Sequence, residues 1–113
     1  MSKYKNTKIE ADGITFASKK EMKRYQELKL MQELGLITEL ETQKKYCIIP
    51  AQREPENGKV IRATHYIADF VYRKDGVLVV EDVKGFRGGK AYDVFRIKQK
   101  LMLYVHGIKV VEI

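Results

Sequence analysis

The segment from Val77 to Lys84 constrains the fold of this chain more than any other part of the sequence. It reads Val-Leu-Val-Val-Glu-Asp-Val-Lys, so its first four residues are all apolar. A continuous apolar run is typical of a central strand buried on both faces, because a half-exposed strand alternates apolar and polar residues. We therefore expect a layered α/β fold in which other elements cover both sides of the sheet.

Two helices are predicted, one before and one after this strand. The first begins at Ser18, where Ser-x-x-Glu ending at Glu21 has the spacing of a capping box, and it ends at Gly35. The second follows the glycine-rich loop 85–90 and ends at Gly107, a typical C-cap residue. Its predicted core face carries four apolar residues at helical spacing: Val94, Ile97, Leu101 and Tyr104.

Strand patterns fill the remaining sequence. One or two strands are predicted between Leu36 and Ile49, a longer one from Val60 to Tyr72, and a turn at Asp75-Gly76 that joins it to the central strand. The final segment, 108–113, is expected to join the central sheet in parallel through a right-handed crossover. The order helix, three strands, helix, strand predicts one α/β domain over 1–113, a central mixed sheet flanked by two helices, with 1–12 as a basic N-terminal arm.

The charge of the chain is unevenly distributed. There are 22 basic and 15 acidic residues, which gives a net charge of +7, but residues 31–83 carry seven basic and nine acidic ones. The excess of positive charge therefore lies at the two ends of the sequence, and it favours a polyanionic partner. With a single cysteine and no apolar stretch of about 20 residues, the chain is expected to be a cytoplasmic protein rather than a secreted or membrane-spanning one.

Acidic residues lie close together at the end of the predicted central strand. Strands joined at Asp75-Gly76 pair residues whose numbers sum to about 151, which places Asp69 opposite Asp82. Because side chains alternate along a strand, Asp82 and Lys84 are expected on one face and Glu81 on the other.

Two juxtaposed carboxylates repel each other unless a proton or a cation lies between them. Mg²⁺ is typically held by one or two carboxylates together with waters and phosphate oxygens. A lysine on the same face could hold or deprotonate a water, or stabilise negative charge on a phosphate. The simpler alternative is that Asp69 and Glu81 form salt bridges with Lys84 at the edge of the strand.

The pattern Asp69, then Asp82-Val83-Lys84 on the next strand, resembles the PD-(D/E)XK nuclease superfamily, which has a restriction-endonuclease-like αβββαβ core. The segments Tyr-Ile-Ala-Asp-Phe and Glu-Asp-Val-Lys-Gly are also similar to those of small phage and prophage endonucleases related to Holliday junction resolvases. Ala68 stands where the superfamily's name has a proline, which supplies no ligand.

The resemblance implies a nuclease that depends on Mg²⁺ or Mn²⁺ and hydrolyses DNA, including branched DNA. In that case Asp69, Asp82 and the Val83 carbonyl bind the metal, helped by Glu21, and Lys84 assists the nucleophile. The small size is compatible with a phage-type recombination or junction-resolving endonuclease that acts as a homodimer in a bacterial or phage-infected cell. The alternative function is a nucleic-acid-binding or accessory protein that retains the fold without cleaving.

Basic residues around this centre are candidates for contact with the phosphate backbone. Such contacts fix the position of a protein on DNA without reading its sequence. The predicted set is Lys19, Lys20, Arg87, Lys90, Lys98 and Lys100.

Overall fold

The structure, a computed structural model, describes residues 9–113. Its helices are α1 (Lys19–Glu33) and α2 (Gly89–His106). Its strands are β1 (Ile9–Ala11), β2 (Ile14–Phe16), β3 (Thr38–Ile49), β4 (Gln52–Arg53), β5 (Val60–Ile61), β6 (Thr64–Lys74), β7 (Val77–Asp82) and β8 (Val111–Glu112). In this part of the chain, no helix is both long and apolar enough to cross a membrane.

The central sheet has four strands in the order β3-β6-β7-β8. β3, β6 and β7 are antiparallel neighbours, whereas β8 pairs in parallel with β7 after the crossover through α2. The predicted α/β fold with a central mixed sheet and two helices is therefore confirmed, and the apolar run in β7 occupies an interior position of the sheet.

Two core clusters lie on opposite sides of this sheet. One contains Phe95 and Met102 of α2, and the other contains Tyr25 and Leu28 of α1. Ser18 caps α1 as the sequence predicts, since its hydroxyl accepts a hydrogen bond from the Glu21 backbone N–H at 3.1 Å. Each helix therefore covers one face of the sheet, which explains why β7 is apolar on both.

Of the predicted core face of α2, Leu101 packs against the core, and the other three residues do not. Val94, Ile97 and Tyr104 are 51%, 57% and 87% exposed, while Phe95 and Met102 are the buried residues of this helix. Helix α2 carries more than one apolar stripe with helical spacing, and the stripe with the large side chains Phe95 and Met102 packs on the sheet. Periodicity alone cannot choose between two such stripes.

The register between β6 and β7 agrees with the sequence prediction. Every observed pair, from Phe70 with Glu81 to Lys74 with Val77, sums to 151. The faces do not alternate regularly, however, because Ala68 belongs to the α2-side core and Phe70 to the α1-side core. Strand β6 therefore changes the face that it presents at Asp69.

The sequence predicts the N-terminal arm over 1–12 as a partly ordered segment, and its last residues are ordered. Its residues 9–11 form β1, which pairs with β2 across the predicted turn at Asp12-Gly13. Asp12 accepts hydrogen bonds from Tyr25 at 3.1 Å and Lys29 at 2.5 Å, so this hairpin is fastened to α1. The rest of the predicted arm, 1–8, lies outside the described residues.

Candidate active site

The candidate site lies where β6 and β7 separate at one end of the sheet. Asp69 follows the buried Ala68, and its Oδ2 accepts a hydrogen bond from the backbone N–H of Val83 at 2.8 Å. The Asp69 side chain thus takes the place of a backbone acceptor just after β7 ends. The change of face in β6 and this contact together hold the two strand ends beside each other.

Asp82 is buried and has a partner on each carboxylate oxygen. The Tyr66 hydroxyl donates to Oδ2 at 2.6 Å, and Lys84 Nζ lies 3.0 Å from Oδ1. Lys84 Nζ also lies 3.8 Å from the centre of the Phe95 ring, close enough for a cation–π interaction. The predicted proximity of Asp82 and Lys84 is confirmed, and two aromatic side chains fix the pair.

Backbone hydrogen bonds hold the segment that carries these groups. Ile113 N–H donates to the Asp82 carbonyl at 2.9 Å, and Lys84 N–H donates to the Ile113 carbonyl at 3.1 Å. The Lys84 carbonyl in turn accepts from Lys20 Nζ at 2.7 Å. The parallel pairing with β8 therefore continues past the end of β7 and fixes the backbone on both sides of Val83.

Glu21 reaches the site from the first turn of α1. It is buried, and burial together with the charges of Asp69 and Asp82 raises its pKa to about 7. Burial is also the largest cause that raises the pKa of Asp69 to about 6, and the Asp82 charge adds to it. Glu21, Asp69 and Asp82 therefore form one electrostatic cluster in which two carboxylates hold protons more readily than usual.

The acids line two open pockets on the two sides of the sheet end. A pocket of about 340 Å³ on the α1 side is lined by Thr15, Phe16, Ala17, Glu21, Gln43 and Asp69. A groove of about 260 Å³ on the α2 side is lined by residues that include His65, Asp82, Lys84, Val94 and Lys98. The β6–β7 pairs end at Phe70 with Glu81, one residue short of Asp69 and Asp82. The side chains of these two acids line different pockets instead of meeting on one face as predicted, because β6 changes face.

The oxygen atoms at this site are of the kind that bind a hard divalent cation, although they do not surround a single point. Carboxylates and a backbone carbonyl are the oxygen ligands that Mg²⁺ prefers, and one or two carboxylates are enough when water supplies the rest. Among residues 9–113, no group of three or more His, Cys, Asp or Glu side chains is arranged to hold a metal ion. The assignment of metal ligands therefore stays a prediction for Glu21, Asp69, Asp82 and Val83. A bound cation would contact only one or two of the three carboxylates.

Glu81 is not part of this cluster. It is 1% exposed, and Arg24 of α1 binds it in bidentate fashion, Nε to Oε1 at 2.9 Å and NH2 to Oε2 at 2.6 Å. Tyr72 donates a further hydrogen bond to Oε2. The simpler alternative, salt bridges of Glu81 and Asp69 with Lys84, is not what the structure shows, since Lys84 pairs with Asp82 instead.

The predicted phosphate-contacting residues have different surroundings. Lys98 is half-buried in the groove with Asp82, whereas Lys100 lines a separate pocket. Arg87 forms an ion pair with Glu112 at 3.1 Å. Lys20 donates a hydrogen bond to the Lys84 carbonyl. Lys19 and Lys90 are exposed at the starts of the two helices.

Sequence reasoning missed Gln43, Tyr66 and Phe95, which contact the site, and Arg24, which binds the neighbouring Glu81. Arg24 could have been found, because it follows Glu21 by three residues and so lies on the same side of α1. Tyr66 could not, since strict alternation along β6 places it on the face opposite Asp69.

Comparison with known proteins gives a family and nothing more specific. The model of a family described as "Protein of unknown function (DUF1064)" matches residues 1–110. No curated protein and no solved structure shows a significant match.

Proposed function

We propose that this chain, which belongs to the DUF1064 family, is a divalent-cation-dependent nuclease that hydrolyses phosphodiester bonds in DNA, branched DNA included. The observation that carries the proposal is the cluster at the end of β7. There burial raises the pKa values of Glu21 and Asp69, and the charge of the neighbouring Asp82 adds to both shifts. A bound Mg²⁺ or Mn²⁺ would relieve the repulsion between these carboxylates.

The chain's own side chains have distinct parts in this proposal. Asp69 and one further carboxylate, that of Asp82 or Glu21, would hold the cation, and the Val83 carbonyl would supply another oxygen. When bound, the cation supplies Lewis acidity, which polarises a phosphoryl oxygen and lowers the pKa of a water. Lys84, held by Asp82 and Phe95, would donate to a phosphate oxygen and stabilise the negative charge that develops during hydrolysis.

Surrounding cations support a nucleic-acid substrate. Lys98 lines the same groove as Asp82 and Lys84, and the exposed Lys19 and Lys90 begin the two helices. Contacts of this kind bind the phosphate backbone regardless of sequence, so selectivity would come from the shape of the substrate. A homodimer, which would present two such sites, is part of the proposal for branched substrates.

One observation favours the alternative function, a nucleic-acid-binding protein that does not cleave. Asp82 already has Tyr66 on one oxygen and Lys84 on the other, so it is satisfied without a cation. In that case the acids would stabilise the fold. Added metal ions would neither alter the affinity for nucleic acid nor lead to its cleavage.

Cleavage of labelled DNA separates the two functions. We would incubate the full chain with a four-way junction, the matching duplex, a single strand and an RNA duplex, in Mg²⁺, Mn²⁺ or EDTA. We expect cleavage of DNA that EDTA abolishes and that Asp82→Asn lowers by about 100-fold, since a candidate ligand of the proposed cation is lost.

The matched control is Asp75→Asn. Asp75 is an exposed acid in the turn of the same hairpin, and asparagine tolerates its positive φ of 52°. This variant should cleave like the parent. Binding of DNA without metal-dependent cleavage would overturn the nuclease assignment, and equal activity of Asp82→Asn would overturn the site.

A further inference from the structure

Gln43 has an unusual backbone conformation for a residue in the middle of a strand. Its φ is +55°, in the left-handed region that residues with a Cβ rarely adopt. Asp12 and Asp75 also have positive φ, but both lie in tight turns before a glycine, and Glu39 lies at a shift in the β3 register. Gln43 has no turn to account for its conformation.

The irregularity lies directly opposite Asp69. The β3–β6 pairs on either side are Thr42 with Phe70 and Lys44 with Ala68, so the register places Gln43 across from Asp69. Asp69 is also where β6 changes the face that it presents. The two neighbouring strands therefore depart from regular geometry at the same position, beside the carboxylate cluster.

The Gln43 side chain contacts this cluster. Its Nε2 donates to Glu21 Oε2 at 3.3 Å, and its side chain lines the same pocket as Asp69, where it lowers the pKa of that carboxyl. The residue is exposed and lines the α1-side pocket, so it contributes nothing to the core. An exposed side chain on a strained backbone gains little from packing, and backbone strain of this kind concentrates at functional sites.

We infer that Gln43 is a positioning residue that holds the Glu21 and Asp69 carboxylates apart and oriented toward a divalent cation. An amide suits this role because it donates hydrogen bonds without neutralising either carboxylate, whereas a lysine or arginine would take the place of the cation. Mutation of a residue that hydrogen-bonds to a metal ligand commonly lowers metal affinity by about 10- to 100-fold. The inference rests on the proposed cation site and names the residue that prepares it.

The test compares Gln43→Gly with the parent, using the full chain and Mn²⁺ alone as the probe in calorimetric titration. Glycine removes the amide and also relieves the strained φ. We expect the melting temperature to rise by a few degrees while Mn²⁺ binds about tenfold more weakly. A purely structural bulge predicts the rise in melting temperature without the loss of affinity, and that result would overturn the inference.

The matched control is Glu39→Gly, on the same strand and with a φ of +57°. Its side chain pairs with Arg73 at 3.6 Å rather than with the cluster, so the Mn²⁺ affinity should equal that of the parent. In Gln43→Lys, the ammonium group should compete with Mn²⁺ and weaken binding further than glycine does. If the parent itself binds no Mn²⁺ at millimolar concentration, the proposed cation site fails, and the role of Gln43 fails with it.

Discussion

Glu81 and Asp82 are neighbours in the sequence and both are buried, yet they differ in how their charge is satisfied. Glu81 faces α1, where Arg24 binds both of its oxygens and Tyr72 donates a further hydrogen bond. Asp82 lines the α2-side groove, and its charge adds to the effect of burial, which raises the pKa of Glu21 and Asp69. One acid completes a closed ion pair, and the other belongs to a cluster with more negative charge than its neighbours neutralise.

Under the proposed function, the difference separates a stabilising ion pair from a cation site along a single strand. A buried ion pair is strongly destabilising to break, because the remaining charge is left without a partner. A cluster of like charges is unfavourable for the fold, and carboxylates with perturbed pKa values concentrate at functional sites. Variants on the Glu81 side of β7 should therefore lower stability more than variants on the Asp82 side do.

The largest loss of stability is expected for Arg24→Met. It leaves Glu81, which is 1% exposed, as a buried carboxylate without its cation, at a cost of about 3 kcal/mol or more. Urea denaturation followed by circular dichroism measures this loss. Adding Glu81→Gln should restore most of it, since the amide removes the charge and still accepts from Tyr72; no recovery would mean that packing of Arg24, not its charge, matters.

A smaller effect is expected for Tyr66→Phe on the other side of the strand. It removes the hydroxyl that donates to Asp82 Oδ2 at 2.6 Å, and a buried acceptor left without this donor costs about 1–3 kcal/mol. The same denaturation experiment measures it. Because Asp82 keeps Lys84, we expect less destabilisation than in Arg24→Met, and the reverse order would contradict the contrast between the two acids.

The carboxylate cluster should also make stability depend on pH. Glu21 has a folded pKa of about 7 against an ordinary value of 4.5, so the folded state holds its proton where the unfolded state has lost it. Its contribution is fully present below pH 4.5 and is lost as the pH rises through 7. The melting temperature of the metal-free chain should therefore fall across this window, and Glu21→Gln should flatten the fall, whereas Glu33→Gln, on the exposed end of α1, should not.

The smallest effect is expected at the exposed ion pair between Lys29 and Asp12. These groups are 2.5 Å apart, but their side chains are 43% and 48% exposed. Pairs of this kind contribute little, because water and salt screen them. The urea midpoint of Lys29→Met should lie close to that of the parent; a loss comparable to that of Arg24→Met would show that exposure does not distinguish the two pairs.

The regular parts of the fold could be predicted from the sequence. The apolar run of β7, the turn at Asp75-Gly76 and the cap at Ser18 each determine local geometry, and together they fix the register that brings Asp69 near Asp82. The face of α2 could not be predicted, because two apolar stripes compete and only packing against the sheet selects one. The contacts of Tyr66 and Gln43 with the site depend on a break in the alternation of side chains along the strands. A periodic sequence pattern does not predict such a break.

One turn of α1, about 5.4 Å of helix, carries both Glu21 and Arg24. Glu21 contacts the carboxylate cluster, whereas Arg24 binds Glu81. A substitution of Glu21 can therefore change the cluster without breaking the ion pair. A relative of this chain could replace Glu21 and its neighbouring acids, keep the arginine–glutamate pair, and diverge into a protein with the same architecture and a different use for its surface.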